Sequence, residues 1–466
     1  MPVFRHSMSI CVIATACLFA QAAHSTEATE RTFSFVYSVE VDAPLGQGPV
    51  DIFVPIAQSD RHQTIVDYSI ESTIPGTEKI ESVHGNRFWH GHLDTADGEP
   101  AKVAVSYTVL RRRFEMDWDS ADSSRSYTDQ EIADIAHYLE ANRRVPVSGD
   151  LVENIVADIA PGETDVLTIA RATYDFVIDE MEYKKIGKGW GNGDTSWACS
   201  AKYGNCTDFH SLFNSLIRAR GIPSRFGIGF LVHEDLSRGS VGGYHCWAEF
   251  YLPGEGWIPI DAAAAKNQPD KRDLYFGGHP ADRMMMTVGR DLDFGEGHAL
   301  KPLNYFVFPH VEVGGELYEE IKTHLSYKSL TADGVEVPDN GEPTLEEVAQ
   351  VIEAYVARDS ELKGGYFLVY DEQEDLSLRL HLDKIHRQRL SKIKDGLYFV
   401  CADFIAPDGT VYDLDFWMRG SNADDLFVSD PIAVHKIDGK RRYYWSFNGS
   451  SNLWEQKTVS AKEKSL

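Results

Sequence analysis

The sequence predicts an α+β protein built from three consecutive units. Strand-like segments fill the chain up to about residue 127, and helical patterns then take over. From residue 340 onward, one helical segment is followed by strand-like segments. The length of 466 residues also fits about three domains of average size. We therefore expect an all-β domain, a mixed central domain and a small α+β domain.

The first residues have the pattern of a secretory signal peptide. Arg5 precedes an apolar run from Met8 to Phe19, and Ala20-Gln21-Ala22 matches a small-x-small cleavage signal. We expect residues 1–22 to be removed and the remaining chain to be periplasmic or secreted. No later stretch approaches the ~20 consecutive apolar residues of a membrane helix, so no integral membrane segment is predicted after signal removal.

The charge of the chain limits the classes of partner. Lys and Arg total 45 against 72 Asp and Glu, a formal net charge of −27. Nucleic acid and anionic lipid are poor partners for such a chain. Basic peptides or amine-bearing substrates would be attracted, although this charge also simply keeps a secreted protein in solution. The composition leaves peptide or protein substrates open and does not indicate an oligomeric state.

The first unit, residues 27–127, is expected to be a β-sandwich. Its strand-like segments are separated by Gly, Pro and Asp turns; they are FSFVYSVEV, VDIFVPIA, TIVDYSIEST, RFWHGHL and AKVAVSYTVLRRRFEM. No catalytic constellation is found in this unit. A packing or substrate-presenting role is therefore expected.

The central unit, residues 128–315, begins with helices. Thr128 and Glu131 form a capping box, and further helical runs cover about residues 150–159 and 164–181. A glycine-rich segment follows, KKIGKGWGNGDTSWACSAKYGN, and predicts a flexible loop that could close over a substrate. Trp190 and Trp197 in this loop are candidates to bind substrate or to donate an indole N–H to an oxyanion. Packing of both against the core is an equal alternative.

Cys206 follows the turn Tyr203-Gly204-Asn205 and lies in the first turn of a predicted helix. Apolar residues recur at helical spacing until Gly221-Ile222-Pro223 ends the run; they are Phe209, Leu212, Phe213, Leu216 and Ile217. The helix dipole and unpaired backbone N–H groups at this end favour a thiolate. Cys206 is a candidate nucleophile, and the alternative is a buried small apolar residue.

His245 and Asp261 lie on two predicted strands downstream of Cys206. A three-residue loop at Leu252 to Gly254 would place position 245 directly opposite position 261, and a longer loop or a bulge would shift this by a few residues. The sequence thus predicts an imidazole beside a carboxylate, the orienting pair that a cysteine nucleophile needs. The alternatives are a core imidazole for His245 and a turn-capping role for Asp261.

The segment GNCTDFHSLFNSLIRARGIPSRF, followed by GYHCWAEFYLPGEGWIPIDAA, resembles the core of bacterial transglutaminase-like proteins, a branch of the papain-type thiol enzymes. The likeness runs from about Thr164 to about Pro309 and includes DRMMMTVGRDL. It implies a papain-like transglutaminase core with Cys206 as nucleophile, His245 as general base and acid, and Asp261 as the orienting group. Members of this family are cross-linking enzymes, peptidases, amidases or inactive proteins, so the resemblance leaves the reaction open.

A zinc site near Cys206 is a weaker alternative. The possible ligands are Cys199, Cys206, His210, His245 and Cys246, but their spacings match neither C-x-x-C pairs nor H-E-x-x-H. Period-two alternation also places His245 and Cys246 on opposite strand faces. No metal and no cofactor are predicted.

Two further expectations concern residues around the nucleophile. His210 lies one turn after Cys206 and is expected to be structural, because a helical neighbour is not also positioned by the strand of Asp261. Cys199 could form a disulfide with Cys206 or Cys246 in an oxidising compartment, and a bridge to Cys206 would block the nucleophile. This pairing stays open.

The third unit, residues 340–466, is expected to be a small α+β domain. Thr344 and Glu347 cap a helix to about Arg358, and antiparallel strand-like segments follow, with turn signals at Pro407-Asp408-Gly409 and Asp438-Gly439. Element order suggests a cystatin-like or similar shape. A binding or regulatory role for this domain is a working hypothesis.

These observations together predict a secreted thiol enzyme that acts on peptide or protein amide bonds. Hydrolysis, as in a cysteine peptidase or amidase, is favoured over cross-linking because the sequence shows no signature of an amine-binding groove. One alternative is a protein-glutamine transglutaminase. The other is a non-catalytic binding scaffold with a transglutaminase-like core.

Overall fold

The computed structural model describes residues 30–96, 98–122, 125–184, 188–232, 237–241, 243–295, 298–299, 302–337, 341–371, 373–387, 390–394, 396–448 and 453–458. The predicted signal peptide, residues 1–22, lies outside the described residues. Within these ranges, none of the helices combines the length and apolar character needed to cross a membrane.

The N-terminal region consists of strands. In the first strand, side chains alternate between buried and half-exposed, as expected where one face of a sheet packs on a core. The seven strands are β1 (Glu30–Val41), β2 (Val50–Ile56), β3 (Gln63–Ser72), β4 (Gly76–Ile80), β5 (Arg87–Leu93), β6 (Ala101–Arg112) and β7 (Phe114–Glu115).

Helices and short strands alternate in the central region. They are α1 (Asp129–Ile135), α2 (Asp150–Asp158), α3 (Val166–Glu180), β8 (Glu182–Tyr183), α4 (Thr195–Ala201), β9 (Tyr203–Gly204), α5 (Cys206–Ala219), β10 (Ser224–Leu231), β11 (Arg238–Ser240), β12 (Tyr244–Leu252), β13 (Gly256–Ile260), α6 (Ala262–Asn267), β14 (Gly278–His279) and β15 (Arg283–Val288). The expectation of one continuous loop between Lys184 and Asn205 is wrong, because α4 and β9 lie inside that segment. The Asp194 side chain begins α4 by accepting a hydrogen bond from Trp197 N.

The central sheet places the candidate residues around one buried helix. Its four antiparallel strands lie in the order β13-β12-β10-β15. Helix α5 packs against β12 and β10 and is surrounded by α2, α3, α4 and α6, so its residues from Cys206 to Arg218 are all buried. The start of α5 therefore lies beside the start of β12.

The strands after the central region return to the N-terminal strands. They are β16 (His310–Val313), β17 (Glu316–Leu317) and β18 (Ile321–Leu330). Two five-stranded sheets result, in the orders β11-β18-β1-β6-β3 and β17-β16-β2-β5-β4. The predicted boundary at residue 315 consequently separates strands of one sheet. The physical reason is that β1 and β2 each take a partner strand from after the central region, β18 and β16 respectively.

The C-terminal region has its own hydrophobic core. One helix packs against an antiparallel sheet in the order β19-β20-β22-β23-β24-β25, with β21 beside β22. The elements are α7 (Leu345–Leu362), β19 (Phe367–Asp371), β20 (Leu376–Ile385), β21 (Ser391–Lys394), β22 (Leu397–Ile405), β23 (Val411–Arg419), β24 (Phe427–Ile437), β25 (Lys440–Arg441), β26 (Tyr443–Asn448) and β27 (Leu453–Thr458).

Candidate active site

Cys206 is the first residue of α5, and a capping box holds this end of the helix. The Asn205 side chain accepts a hydrogen bond from Thr207 N at 2.9 Å, and Asn205 N donates to Asp208 Oδ2 at 2.9 Å. A Cβ atom at Gly204 would lie 2.4 Å from the Asp208 carboxylate, so only glycine fits beside this cap. The geometry buries Cys206 at the positive end of the helix dipole.

Asp208 also fastens the preceding loop to the helix. Its two carboxylate oxygens accept hydrogen bonds from Gly191 N at 2.7 Å and from Gly193 N at 2.9 Å. No local spacing in the sequence signals these loop contacts. Three backbone N–H groups, including that of Asn205, therefore depend on one buried side chain.

Replacing Asp208 with alanine is expected to cost about 2 kcal/mol of unfolding free energy, because buried backbone donors lose their acceptor. The loosened loop should also lower kcat/KM by roughly tenfold to a hundredfold through misplacement of the site. Urea unfolding and steady-state kinetics measure the two effects. Asp165→Ala is the matched control, since it removes the side-chain cap of α3. A variant D208A as active as D165A would contradict this role.

The structure places the two candidate tryptophans in the segment that Asp208 fastens. Trp197 lies in α4, packs against the core and meets Tyr203 edge to face with ring centroids 5.3 Å apart. Gly189 passes so close to the Trp197 indole that an added Cβ would lie 2.4 Å from Nε1. Trp190 is half-buried beside Gly191. A substrate-binding or oxyanion role for either residue stays a prediction.

His245 and Asp261 are in hydrogen-bond contact, with His245 Nε2 2.6 Å from Asp261 Oδ2. The turn between β12 and β13 has three residues as expected, but it lies one residue further along the chain, because Leu252 pairs with Gly256. The ladder ends where Ala248 faces Ile260, so Asp261 falls beyond it. Asp261 is instead the N-cap of α6, and its Oδ1 accepts from Ala264 N at 2.8 Å. One carboxylate thus both begins a helix and contacts the imidazole.

Arg283 is a further residue of the site that the sequence did not indicate. It lies on β15, is buried, and donates from Nη1 to Asp261 Oδ2 at 2.9 Å. Its guanidinium also lies over the Trp247 ring, 5.5 Å from the centroid. Burial opposes charge on Arg283, but Asp282 and Asp261 raise its pKa above the ordinary value. The fixed cation keeps Asp261 ionised.

His210 lies closer to Asp261 than the sequence suggested. Its Nε2 is 3.6 Å from Asp261 Oδ1, because α6 begins directly after Asp261 and packs against α5. Asp261 therefore does reach His210, contrary to the reason given for expecting a structural role. Both ring nitrogens nevertheless bond to backbone: Nδ1–H donates to Cys206 O at 2.7 Å, and Nε2 accepts from Ala262 N at 3.1 Å. Burial lowers the pKa of His210, so its ring is neutral.

Comparison with known proteins identifies the family of the chain. The sequence model of the transglutaminase-like superfamily matches residues 153–262. Cys206, His245 and Asp261 all lie within that range. An uncharacterised protein of Haemophilus influenzae strain Rd is 32% identical over 322 residues, which cover 61% of this chain and 86% of the relative. This chain belongs to the transglutaminase-like superfamily.

Among solved structures, a candidate cysteine protease from Cytophaga hutchinsonii is similar with 16% identity and a TM-score of 0.42, covering 67% of this chain and 96% of that protein. Red sea bream transglutaminase is similar with 9% identity and a TM-score of 0.21, covering 86% of this chain and 75% of that enzyme. The description of the fold relies on the structure of this chain and on its superfamily membership, and not on these two similarities.

In this transglutaminase-like chain, the side chains of His245 and Cys246 both lie close enough to Cys206 to lower the pKa of its thiol. His245 and Cys246 were expected on opposite faces of the strand, yet both lie near the Cys206 sulfur. The five thiol and imidazole groups considered as zinc ligands form no three-ligand group in the described part of the chain. All four described cysteines are free thiols.

The electrostatics of the transglutaminase-like site favour a thiolate. Burial raises the pKa of Cys206, but the nearby Cys246 and His245 side chains and the charge of His245 hold it well below its ordinary value. Burial lowers the pKa of His245, whereas Asp261 and Cys206 raise it to about 10. The pKa of Asp261 lies well below its usual range, since His245 and Arg283 outweigh burial. These shifts favour a thiolate–imidazolium pair beside a carboxylate.

Proposed function

We propose that the protein is a thiol acyl-transfer enzyme that hydrolyses amide bonds in peptides or proteins. The observation that carries this proposal is the contact chain at the start of α5. The Cys206 side chain lies close enough to His245 for the imidazole to lower its pKa, and His245 Nε2 lies 2.6 Å from Asp261 Oδ2. Since Nε2 faces Asp261, Nδ1 is the ring nitrogen left for the sulfur. These are the groups that activate and orient a cysteine nucleophile.

In the proposed reaction, the Cys206 thiolate attacks the amide carbonyl and forms a C–S bond. The tetrahedral oxyanion forms at the N-terminus of α5, where the helix dipole favours negative charge. Collapse breaks the C–N bond, and the His245 imidazolium gives its proton to the leaving amine. Neutral His245 then takes a proton from water, whose oxygen attacks the thioester. Breaking the C–S bond releases the acid and restores the thiolate.

The acceptor decides between hydrolysis and cross-linking. A lysine amine in place of water would give an isopeptide bond, the reaction of a protein-glutamine transglutaminase. A peptide library incubated with the protein and a labelled primary amine distinguishes the two by product mass. Products that gain water support hydrolysis, and products that gain the amine support transfer. The non-catalytic scaffold would be favoured by two results together: the wild-type protein leaves the peptide masses unchanged, and the Cys206→Ala variant keeps full biological activity.

The thiolate–imidazolium pair predicts a specific pH dependence. Below the lowered Cys206 pKa the sulfur is protonated and unreactive, and above about 10 His245 loses the proton that it gives to the leaving amine. We expect kcat/KM to be bell-shaped with its alkaline limb near 10. Alkylation of Cys206 by iodoacetamide, followed in a Cys199→Ser background, should persist well below the ~8.5 of an ordinary thiol.

The matched variant for this titration is His245→Ala. Without the imidazolium, the buried Cys206 thiol should titrate at or above the ordinary value, so alkylation at neutral pH slows. Identical alkylation profiles for H245A and the wild type would contradict the ion pair.

We also propose that the protein acts outside the cytoplasm, on the strength of the signal-like pattern in residues 1–22. The N-terminal sequence of the protein from periplasm or medium should begin after Ala22. An uncleaved N-terminus recovered only from cytoplasm would refute this location.

A further inference from the structure

The C-terminal domain contains a buried cluster of metal-ligating side chains, far along the chain from Cys206. Cys401 on β22, Asp413 and Asp415 on β23, and His435 on β24 bring their ligand atoms within 4.8 Å of one another. Cys401 faces Asp415 in the ladder, and Asp413 lies two positions along on the same sheet face. His435 falls at a bulge between the pairs Leu414–Val434 and Asp413–Lys436. Three adjacent strands thus supply all four groups.

Only part of this polar cluster is satisfied by hydrogen bonds. The Cys401 thiol donates to Asp415 Oδ1 at 3.0 Å, and the Tyr443 hydroxyl donates to Asp415 Oδ2 at 2.8 Å. Lys436 Nζ bonds to Asp413 Oδ2. The His435 ring stacks on Tyr443 with ring centroids 4.9 Å apart. These contacts hold the two carboxylates and the imidazole in place within the sheet.

The remaining ligand atoms point to a cation. Among the described residues, no hydrogen-bond partner is found for either ring nitrogen of His435 or for the Oδ1 atom of Asp413. Asp413 is only 3% exposed, so leaving its oxygen unpaired is costly. His435 Nδ1 lies 3.4 Å from Asp415 Oδ1 and 3.9 Å from Asp413 Oδ1. Nitrogen and oxygen atoms that coordinate the same zinc ion at ~2.0–2.2 Å are separated from one another by distances comparable to these.

We propose that Cys401, Asp413, Asp415 and His435 bind one Zn²⁺ ion. Thiolate, imidazole and carboxylate are the ligand types of zinc, and four protein ligands in a buried setting describe a structural site. Binding displaces the thiol proton to solvent and replaces the Cys401–Asp415 hydrogen bond by two metal bonds. The thiolate and two carboxylates then balance Zn²⁺ and Lys436 in formal charge. The ion joins β22, β23 and β24 and is independent of the proposed acyl transfer.

A second cluster provides a comparison within the same chain. His298, His310 and Glu312 also bring their ligand atoms within 4.8 Å, beside the sheet that contains β16. This group offers only three ligands and no thiol, and His310 Nε2 already bonds to Glu312 Oε1 at 2.9 Å. The Nε2 atom of His298 lies 3.6 Å from the same Glu312 oxygen. The four-ligand group with a thiol is the stronger zinc site, and His310 serves as the control position.

Metal content of the purified full chain tests the proposal. The protein is equilibrated with Zn²⁺, freed of unbound metal by gel filtration, and analysed by elemental mass spectrometry. About one zinc per chain is expected, falling at least roughly tenfold in Cys401→Ser and in Asp415→Asn. Cys199→Ser and His310→Gln should retain the metal. Zinc retained in C401S, zinc lost in H310Q, or no zinc in the wild type would each overturn the proposal.

Cobalt substitution keeps the test decisive if a cluster variant fails to fold. The probe is Co²⁺ added to the metal-free Cys206→Ala protein, which leaves Cys401 intact. We expect a near-ultraviolet thiolate-to-cobalt absorption band and the strong visible bands of tetrahedral coordination, both removed by added Zn²⁺. A cobalt spectrum without a thiolate band would overturn the assignment. So would the same thiolate band in a folded C206A/C401S protein.

Discussion

Replacing Cys206 with alanine is expected to abolish amide cleavage while leaving the fold intact. The side chain is the only proposed nucleophile, and residual catalysis without it should fall by roughly 10⁴-fold or more in kcat/KM, about 5.5 kcal/mol of transition-state stabilisation. The helix cap that precedes it uses the Asn205 and Asp208 side chains and not the sulfur. The unfolding free energy of Cys206→Ala should therefore change little beyond the loss of one buried sulfur atom.

The control for this variant is Cys199→Ala, which removes a half-buried thiol from α4. Cleavage of a peptide substrate and urea unfolding are compared for both variants. Loss of activity in C206A alone supports the nucleophile. Full activity in C206A would contradict the nucleophile and favour a non-catalytic role for the transglutaminase-like core.

Replacing Asp261 with alanine should damage both stability and activity. The variant leaves the buried Arg283 guanidinium without its partner on Asp261 and removes the N-cap of α6. A broken buried charge pair costs roughly 3–5 kcal/mol, and a lost cap costs about 1 kcal/mol. Activity should fall by roughly 10³–10⁴-fold, since His245 loses both its orientation and the stabilisation of its charged form.

The variant Asp261→Asn separates these two effects. Its side-chain oxygen can still accept from Ala264 N, so the cap on α6 survives while the negative charge is lost. We expect D261N to be more stable than D261A in urea yet similarly inactive, with the alkaline limb of its residual activity below the wild-type value of about 10. An active D261N with an unchanged pH profile would show that the carboxylate charge is not used.

Much of the candidate site could be predicted from local periodicity in the sequence. The apolar spacing after Cys206 indicates a helix that begins at the thiol, and alternation around His245 indicates a strand. Both patterns concern residues within a few positions of each other, where helix and strand geometry is fixed. The same local argument placed Asp261 beside His245, although the contact arises from the N-cap of α6 and not from the ladder.

Contacts between distant residues could not be predicted in this way. Arg283 reaches Asp261 from another strand, and Asp208 binds the backbone of a loop 15 to 17 residues earlier. The pairing of β1 with β18 joins the first predicted unit to a strand that follows the predicted boundary at residue 315, so no local pattern could indicate it. Cys401 likewise lacked a spacing motif, because its neighbours Asp415 and His435 come from separate strands.

The most direct test of the account is the mass of the enzyme during turnover. Wild-type protein is mixed with a peptide substrate, stopped in acid within milliseconds to seconds, and digested for mass spectrometry. We predict an acyl group on the peptide that contains Cys206, in thioester linkage that hydroxylamine removes, and none in Cys206→Ala. Substrate cleavage without any adduct on Cys206, or with the adduct on another residue, would contradict the account.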